Sequence, residues 1–411
     1  MENKGKTLIV VGGGAAGFFC AVNAAISNAA LRVVIVEKSG KLLSKVKVSG
    51  GGRCNVTHHC FEIEELIKKY PRGQNFLKKA FHHFNTTDTI QWFAERSITL
   101  KTEADGRMFP ESNTSQTIIN CLLREANNFG VEIMMNADVK ELSKKTDVFH
   151  LQLADGRHLQ ADFVCIACGG FPKPEHFSWL QQLGHAIEPP VPSLFTFNMP
   201  GNPITALMGV SVEEAIIKIT GTKLSQQGPV LITHWGLSGP AILKLSAYAA
   251  RELAQMQYQF SILINWLPLY NEQTLKEAWQ GLRNQFAAQA IGNKNPFNLP
   301  ACLWQYFLQQ ADINTETRWA AVTAKQQNKL IQILTAQPFE VKGKTTFKEE
   351  FVTCGGIKLS EINASTMQSR VVPNLFFAGE IMDVDGITGG FNFQHAWTSS
   401  WIAAKAIAEA C

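Results

Sequence analysis

Gly12, Gly14 and Gly17 occur in the spacing GxGxxG, with Ala15 and Ala16 inside it, and Glu37 follows Gly17 by twenty residues. These types at this spacing suit a dinucleotide. Gly12 permits a tight turn, Gly14 has no Cβ to obstruct a pyrophosphate, and Gly17 lets a helix pack closely on a strand. A helix starting there offers free N–H groups and a positive dipole end to phosphates. The Glu37 carboxylate can accept hydrogen bonds from both hydroxyls of an adenosine ribose. A second stretch, Ser49, Gly50, Gly51, Gly52, Arg53, Cys54 and Asn55, reads either as a surface loop or as backbone that presses on a flat or phosphorylated ligand, with Arg53 as a fixed cation. Near the C-terminus, Gly379-Glu380 and Thr388-Gly389-Gly390 put an acid at a strand tip and glycines before a helix, a second terminus suited to face a ligand.

Other reactive side chains form weaker patterns. Nine cysteines, an odd number, are scattered among apolar neighbours, which fits a reducing cytoplasm instead of a disulfide framework. Cys165 and Cys168 have redox-motif spacing but lie along a strand whose glycines come after it. Cys54 and Cys60 leave a dithiol open as a rival reading. The cluster His58, His59 and Cys60 lacks the second ligand pair that zinc requires, so no metal is expected. His58, His59, His82, His83, His234 and His395 are acid–base candidates by type alone.

These residues need elements to hold them. Leu8 to Val11 reads as a strand entering the glycine turn, followed by an Ala-rich helix and a second strand, Arg32 to Val36, closed by Glu37. Lys4, Lys6 and the apolar run imitate a signal peptide, but the triple glycine breaks the apolar core, so mature folded sequence is expected. Helical periodicity runs from Phe61 to Glu95 and from Gln116 to Phe129. Hairpins are expected at Glu103 to Pro110 and around Asp155-Gly156. Strands are expected at Val131 to Val139, Asp162 to Ala167 and Leu375 to Ala378, with a final helix from Phe391 to Glu409. Prolines at 189, 190 and 192 mark a change to short strand-like pieces. A Gln-rich helical region follows, with Trp279, Trp304 and Trp319 as core anchors. With 411 residues and 45% hydrophobic content, two or three domains can each bury a core. The net charge of +4 permits a polyanionic partner without demanding one. No apolar run approaches the ~18 residues that span a bilayer.

The stretches VVGGGAAGFFCAVNAA, SGGGRCNVT, GLSGPAILKLS, VTCGGIKLSEINASTMQS and LFFAGEIMDVDGITGGFNFQHAWTSS resemble the HI0933-like family of FAD/NAD(P)-binding flavoproteins. The resemblance implies an α/β fold: a glutathione-reductase-type Rossmann FAD-binding domain from residues 1–190 and 347–411, a β-barrel-like insert domain from 191–265 and 332–346, and a small helical domain from 266–331. It implies that Gly12, Gly14, Ala15, Ala16 and Gly17 face the pyrophosphate and Glu37 and Lys38 the adenosine. Ser49 to Asn55 run beside the flavin, Val139 touches the adenine end through its backbone, and Ala167 and Gly169 line the cofactor. Gly379 and Glu380 meet the ribityl chain, and Gly389, Gly390, Asn392 and Phe393 the flavin's pyrimidine edge. Cys54, in the glycine loop, is the candidate catalytic residue. A reduced flavin is negative around N1, so a helix N-terminus aimed there stabilises it by roughly 0.3 to 2 kcal/mol. The chain departs from the family pattern after Gly170, where Phe171 to Glu175 replace a longer Gly/Thr/Ser-rich segment.

The expected function is therefore an FAD-dependent oxidoreductase. Residues 191–346 hold no second strand–GxGxxG–helix unit, so NAD(P)H as transient reductant binds without its own Rossmann domain. The family is associated with amine oxidation, reduction of steroid-like substrates and reduction of a ribosomal RNA uridine to dihydrouridine. The basic segment Lys38, Lys41, Lys45, Lys47 and Arg53 could guide RNA, serve the FAD phosphates or solvate the surface. Small molecule, ribosomal RNA and a flavin-binding protein without turnover stay open here.

Overall fold

The apolar runs that carry the glycine motif become the centre of a parallel sheet. In the computed structural model, which describes residues 5–346 and 352–411, β1 (Thr7–Val11) lies between β2 (Arg32–Val36) and Phe163–Ile166. Leu375–Phe377 and Glu132–Met134 form the two edges. Both faces of such a sheet are covered, which is why its strands read as unbroken Val, Ile and Leu. Val11 stands beside both Val36 and Ile166, and Ile166 beside Phe377. Four strands therefore end together along one edge.

Helix α1 (Ala15–Ser27) is buried along most of its length and packs against the 20-residue C-terminal helix Phe391–Ala410. Ser400 Oγ donates to the Ala16 carbonyl (2.8 Å) and Trp397 Nε1 to that of Val56 (2.9 Å). The two chain ends are thus one assembly: the structure divides into Met1–Ser193 with Phe347–Cys411, and Leu194–Thr346. Lys4 and residues 347–351, including one expected domain edge, lie outside the described residues.

Local differences have physical causes. The helical stretch 61–95 is three helices, Ile63–Ile67, Gln74–Phe81 and Thr86–Ala94, because Gly73 in the left-handed region (φ 84°) and the Asn85 capping box restart the chain. The strand expected over 131–139 splits at Asn136 (φ 52°) into Glu132–Met134 and Val139–Lys145, which belong to different sheets. The proline-rich stretch lies in the strand Ile187–Ser193, paired antiparallel with Val352–Ile357 in a two-stranded ladder whose register shifts there.

The second unit is a seven-stranded sheet in the order 337–342, 259–265, 211–219, 225–233, 236–238, 196–198 and 344–345. Helices Glu272–Gln285, Ala301–Gln310 and Ala324–Ala336 share one hydrophobic core with it, and Trp279, Trp304 and Trp319 are buried there. Among the described residues no helix is long and apolar enough to cross a membrane.

Candidate cofactor site

The aligned strand ends carry the site. Off β1, Gly12 has φ 116°, and a Cβ there would stand 2.5 Å from the Ala167 carbonyl oxygen. A Cβ at Gly17 would lie 1.8 Å from the Gly12 carbonyl oxygen, so this glycine serves helix–turn packing. At Gly14 the added atom would meet nothing within 4 Å. That open face, at the N-terminus of α1 where Ala15 and Ala16 begin the helix, is where a pyrophosphate would fit.

Off β2, the Glu37 carboxylate accepts from Gly13 N (2.8 Å), Ser39 N (2.9 Å) and Ser39 Oγ (2.8 Å). It is fixed to the glycine turn and also lines a cavity of about 330 Å³ with Gly12, Lys38, Val139 and Cys168. Phe171, Glu175, His176 and Trp179 form another part of that wall. The segment that departs from the family pattern thus closes one side of the cavity beside Glu37. Burial pushes the Cys168 thiol up to about 12, so it faces the cavity as a neutral group.

The glycine stretch 49–55 begins in the kinked end of the helical segment Ser44–Gly52, with Gly50 and Gly51 left-handed (φ 59° and 68°), and runs on past it to Asn55. A Cβ at Gly51 or Gly52 would meet nothing within 4 Å, so their backbone is open to a ligand. Arg53 is held by Glu103 (2.5 Å) and lies 4.0 Å over the Phe109 ring, which fixes its cation. Cys54 is fully buried, and desolvation pushes its thiol up to about 12. That environment disfavours the thiolate a nucleophile needs. Asn55, with its amide turned so that Oδ1 accepts from Gly390 N (3.0 Å), ties this segment to the C-terminal helix.

At the sheet edge, Gly379 N donates to Ser399 Oγ (2.9 Å), and Glu380 accepts from Lys45 Nζ (2.5 Å) and Thr353 N (2.9 Å). Gly169 faces the same carboxylate: a Cβ there would be 3.9 Å from Glu380 Oε2. Gly389 and Gly390 lead the C-terminal helix, and His58 Nδ1 stands 3.0 Å from the Gly389 carbonyl oxygen. Asn392 uses both amide atoms on the Gly386 backbone (2.8 and 2.9 Å), so it shapes the turn before the helix. The Phe393 ring stacks on Trp397. Two features escaped sequence reasoning. Asp385 is completely buried in an ion pair with Arg72, accepting also from Ser193 Oγ (2.7 Å). Desolvation pushes its carboxyl upward, and the Arg72 cation opposes that. Thr353 is buried with Oγ1 unpartnered among the described residues. It lies inside the stretch VTCGGIKLSEINASTMQS that carries the family resemblance, but nothing local singles out its hydroxyl.

The open glycine faces, the cavity of about 330 Å³ beside Glu37 and the orphaned hydroxyl suit an extended dinucleotide. A family model described as the HI0933-like protein Rossmann domain matches residues 6–406. The chain is 31% identical to a ribosomal RNA dihydrouridine synthase of Escherichia coli, over 97% of this chain and 96% of that one. It is 24% identical to a 3-dehydro-bile acid delta(4,6)-reductase of Clostridium scindens, over 97% and 98% of the two chains. Among solved structures, a 3-ketosteroid delta1-dehydrogenase from Sterolibacterium denitrificans superposes with a TM-score of 0.54 at 13% identity, covering 100% of both chains, a likeness of fold.

Proposed function

We propose, from the premise that this chain belongs to the HI0933-like family and is an FAD-dependent oxidoreductase, that it reduces a uridine of ribosomal RNA to dihydrouridine. The observation that carries this reading is the near full-length likeness to two ribosomal RNA dihydrouridine synthases. In net terms the uracil C5=C6 bond gains two electrons and two protons: NAD(P)H, as transient donor, gives up the two electrons with one proton and becomes NAD(P)+, and the second proton comes from solvent.

Bound FAD supplies the two-electron chemistry between donor and uracil. The residues that would hold it are the Gly12–Gly17 turn, Glu37 and Lys38, Val139, Ala167 and Gly169, Ser49–Asn55, Gly379 and Glu380, and the Gly389–Phe393 helix start. The 20-residue C-terminal helix presents its positive end through two glycines, which stabilises negative charge placed there by roughly 0.3 to 2 kcal/mol. Lys45 and Arg53 are engaged by Glu380 and Glu103, so phosphate steering would fall to Lys41 and Lys47, both exposed.

The test has two parts. Ribosomal RNA from cells with and without the gene is digested and its nucleosides quantified; a dihydrouridine lost on deletion and restored by the gene is expected. With purified protein, the Lys41→Glu, Lys47→Glu double variant should retain FAD while the salt dependence of RNA binding falls by roughly 0.7 to 0.9 in log–log slope per lost phosphate contact. An unchanged nucleoside profile with salt-insensitive RNA binding would overturn the proposal. Turnover of an enone under those conditions would favour the small-molecule reading that the likeness to the bile acid reductase supports.

A further inference from the structure

Four neighbouring parallel strands end at ligand-facing residues in a fixed order: β2 at Glu37, β1 at Gly12, Phe163–Ile166 before Gly169 and Gly170, and Leu375–Phe377 before Gly379 and Glu380. An FAD molecule has its own fixed order: adenosine, pyrophosphate, ribityl chain, flavin. With the adenosine cavity at β2 and the open Gly14 face at β1, the ribityl chain falls to the third and fourth strand ends.

Thr353 stands at that place. Its N–H donates to Glu380 Oε1 (2.9 Å), and its own Oγ1 is fully buried with no partner among the described residues. A Cβ on Gly170 would lie 2.4 Å from Thr353 Oγ1 and 3.1 Å from Glu380 Oε1, so this glycine leaves the hydroxyl and the carboxylate side by side. A buried hydroxyl without a partner destabilises the protein, and native chains keep such groups for something that completes them. We propose that Thr353 is a cofactor-binding residue whose hydroxyl hydrogen-bonds a ribityl hydroxyl of FAD, beside Glu380. The ribityl chain is the part of FAD between pyrophosphate and flavin that carries hydroxyls, and Thr Oγ can both donate and accept. The inference rests on FAD binding and is independent of which substrate is reduced.

The test titrates apoprotein with FAD, reading flavin fluorescence. Wild-type protein that fails to bind FAD would sink the cofactor reading itself. Given binding, Thr353→Val should raise Kd about tenfold, and Thr353→Ser, which keeps the hydroxyl, should recover most of the loss. Wild-type protein titrated with FAD analogues lacking single ribityl hydroxyls should lose about the same factor with one of them, and Thr353→Val should lose nothing further with that analogue. Equal Kd values for wild type and Thr353→Val would overturn the assignment. So would equal binding of every analogue by the wild type, a reading that needs no variant to fold. A Thr353→Val protein whose apoprotein melting point shifts while its Kd does not would assign the hydroxyl a structural role and likewise overturn the proposal.

Discussion

A methyl group added at Gly17 would sit 1.8 Å from a backbone oxygen, whereas one at Gly14 would meet nothing within 4 Å. Gly14 also has φ −92°, which any residue adopts. The same substitution should therefore act on different quantities at the two positions. Gly17→Ala should destabilise the apoprotein by about 1 to 3 kcal/mol, the cost of overpacking against a backbone that cannot give. Gly14→Ala should leave apoprotein stability within ~0.5 kcal/mol and weaken FAD binding tenfold or more, because the methyl fills the space of the pyrophosphate. Thermal melts of both apoproteins and FAD titrations check this; a Gly14→Ala protein with unaltered FAD affinity would refute the placement. The spacing GxGxxG was legible in the chain, but which glycine serves packing and which serves the ligand was not. That distinction depends on what lies opposite each Cα.

The C-terminal helix illustrates the next scale. It is held against the Gly379 turn by Ser399, and by His395, whose Nε2 stands 3.2 Å from the Gly379 carbonyl oxygen. Burial lowers the His395 pKa from 6.5 to about 4, against the opposing pull of that carbonyl and the nearby Glu380. An unfolded chain takes up the proton near pH 6.5 while the folded one resists until about pH 4. Stability from this residue is thus fully present above pH 6.5 and is lost as pH falls toward 4, by up to about 3 kcal/mol at ~1.4 kcal/mol per pKa unit. His395→Leu should flatten the decline of the melting temperature between those pH values, and identical slopes for variant and wild type would count against the assignment. Sequence reasoning placed a helix from Phe391 and marked His395 only by type. Its burial arises from docking on a strand some twenty residues earlier and on α1 at the other chain end.

Across the whole molecule, Leu194–Thr346 carries its own core: all seven strands of its sheet come from within it, and Trp266, Trp279, Trp304 and Trp319 are buried in one cluster. Residues 194–346 expressed alone should unfold in one cooperative transition followed by circular dichroism, with no bound flavin. A broad, non-cooperative melt would refute its independence. The sequence by itself determined the βαβ unit, because the glycine spacing, the apolar strands and the acid all fall within forty residues and obey local backbone rules. It also determined the C-terminal strand–acid–helix and the aromatic core anchors, through short-range periodicity. Tertiary structure alone decided the rest. Cys54 became a fully buried thiol, Asn392 a turn clamp, Phe171, Glu175, His176 and Trp179 part of the wall of the cavity beside Glu37, and Thr353 a hydroxyl beside Glu380 without a partner among the described residues. Each of these depends on which distant segment closes over the residue, and burial and pairing across hundreds of positions leave no local pattern in the chain.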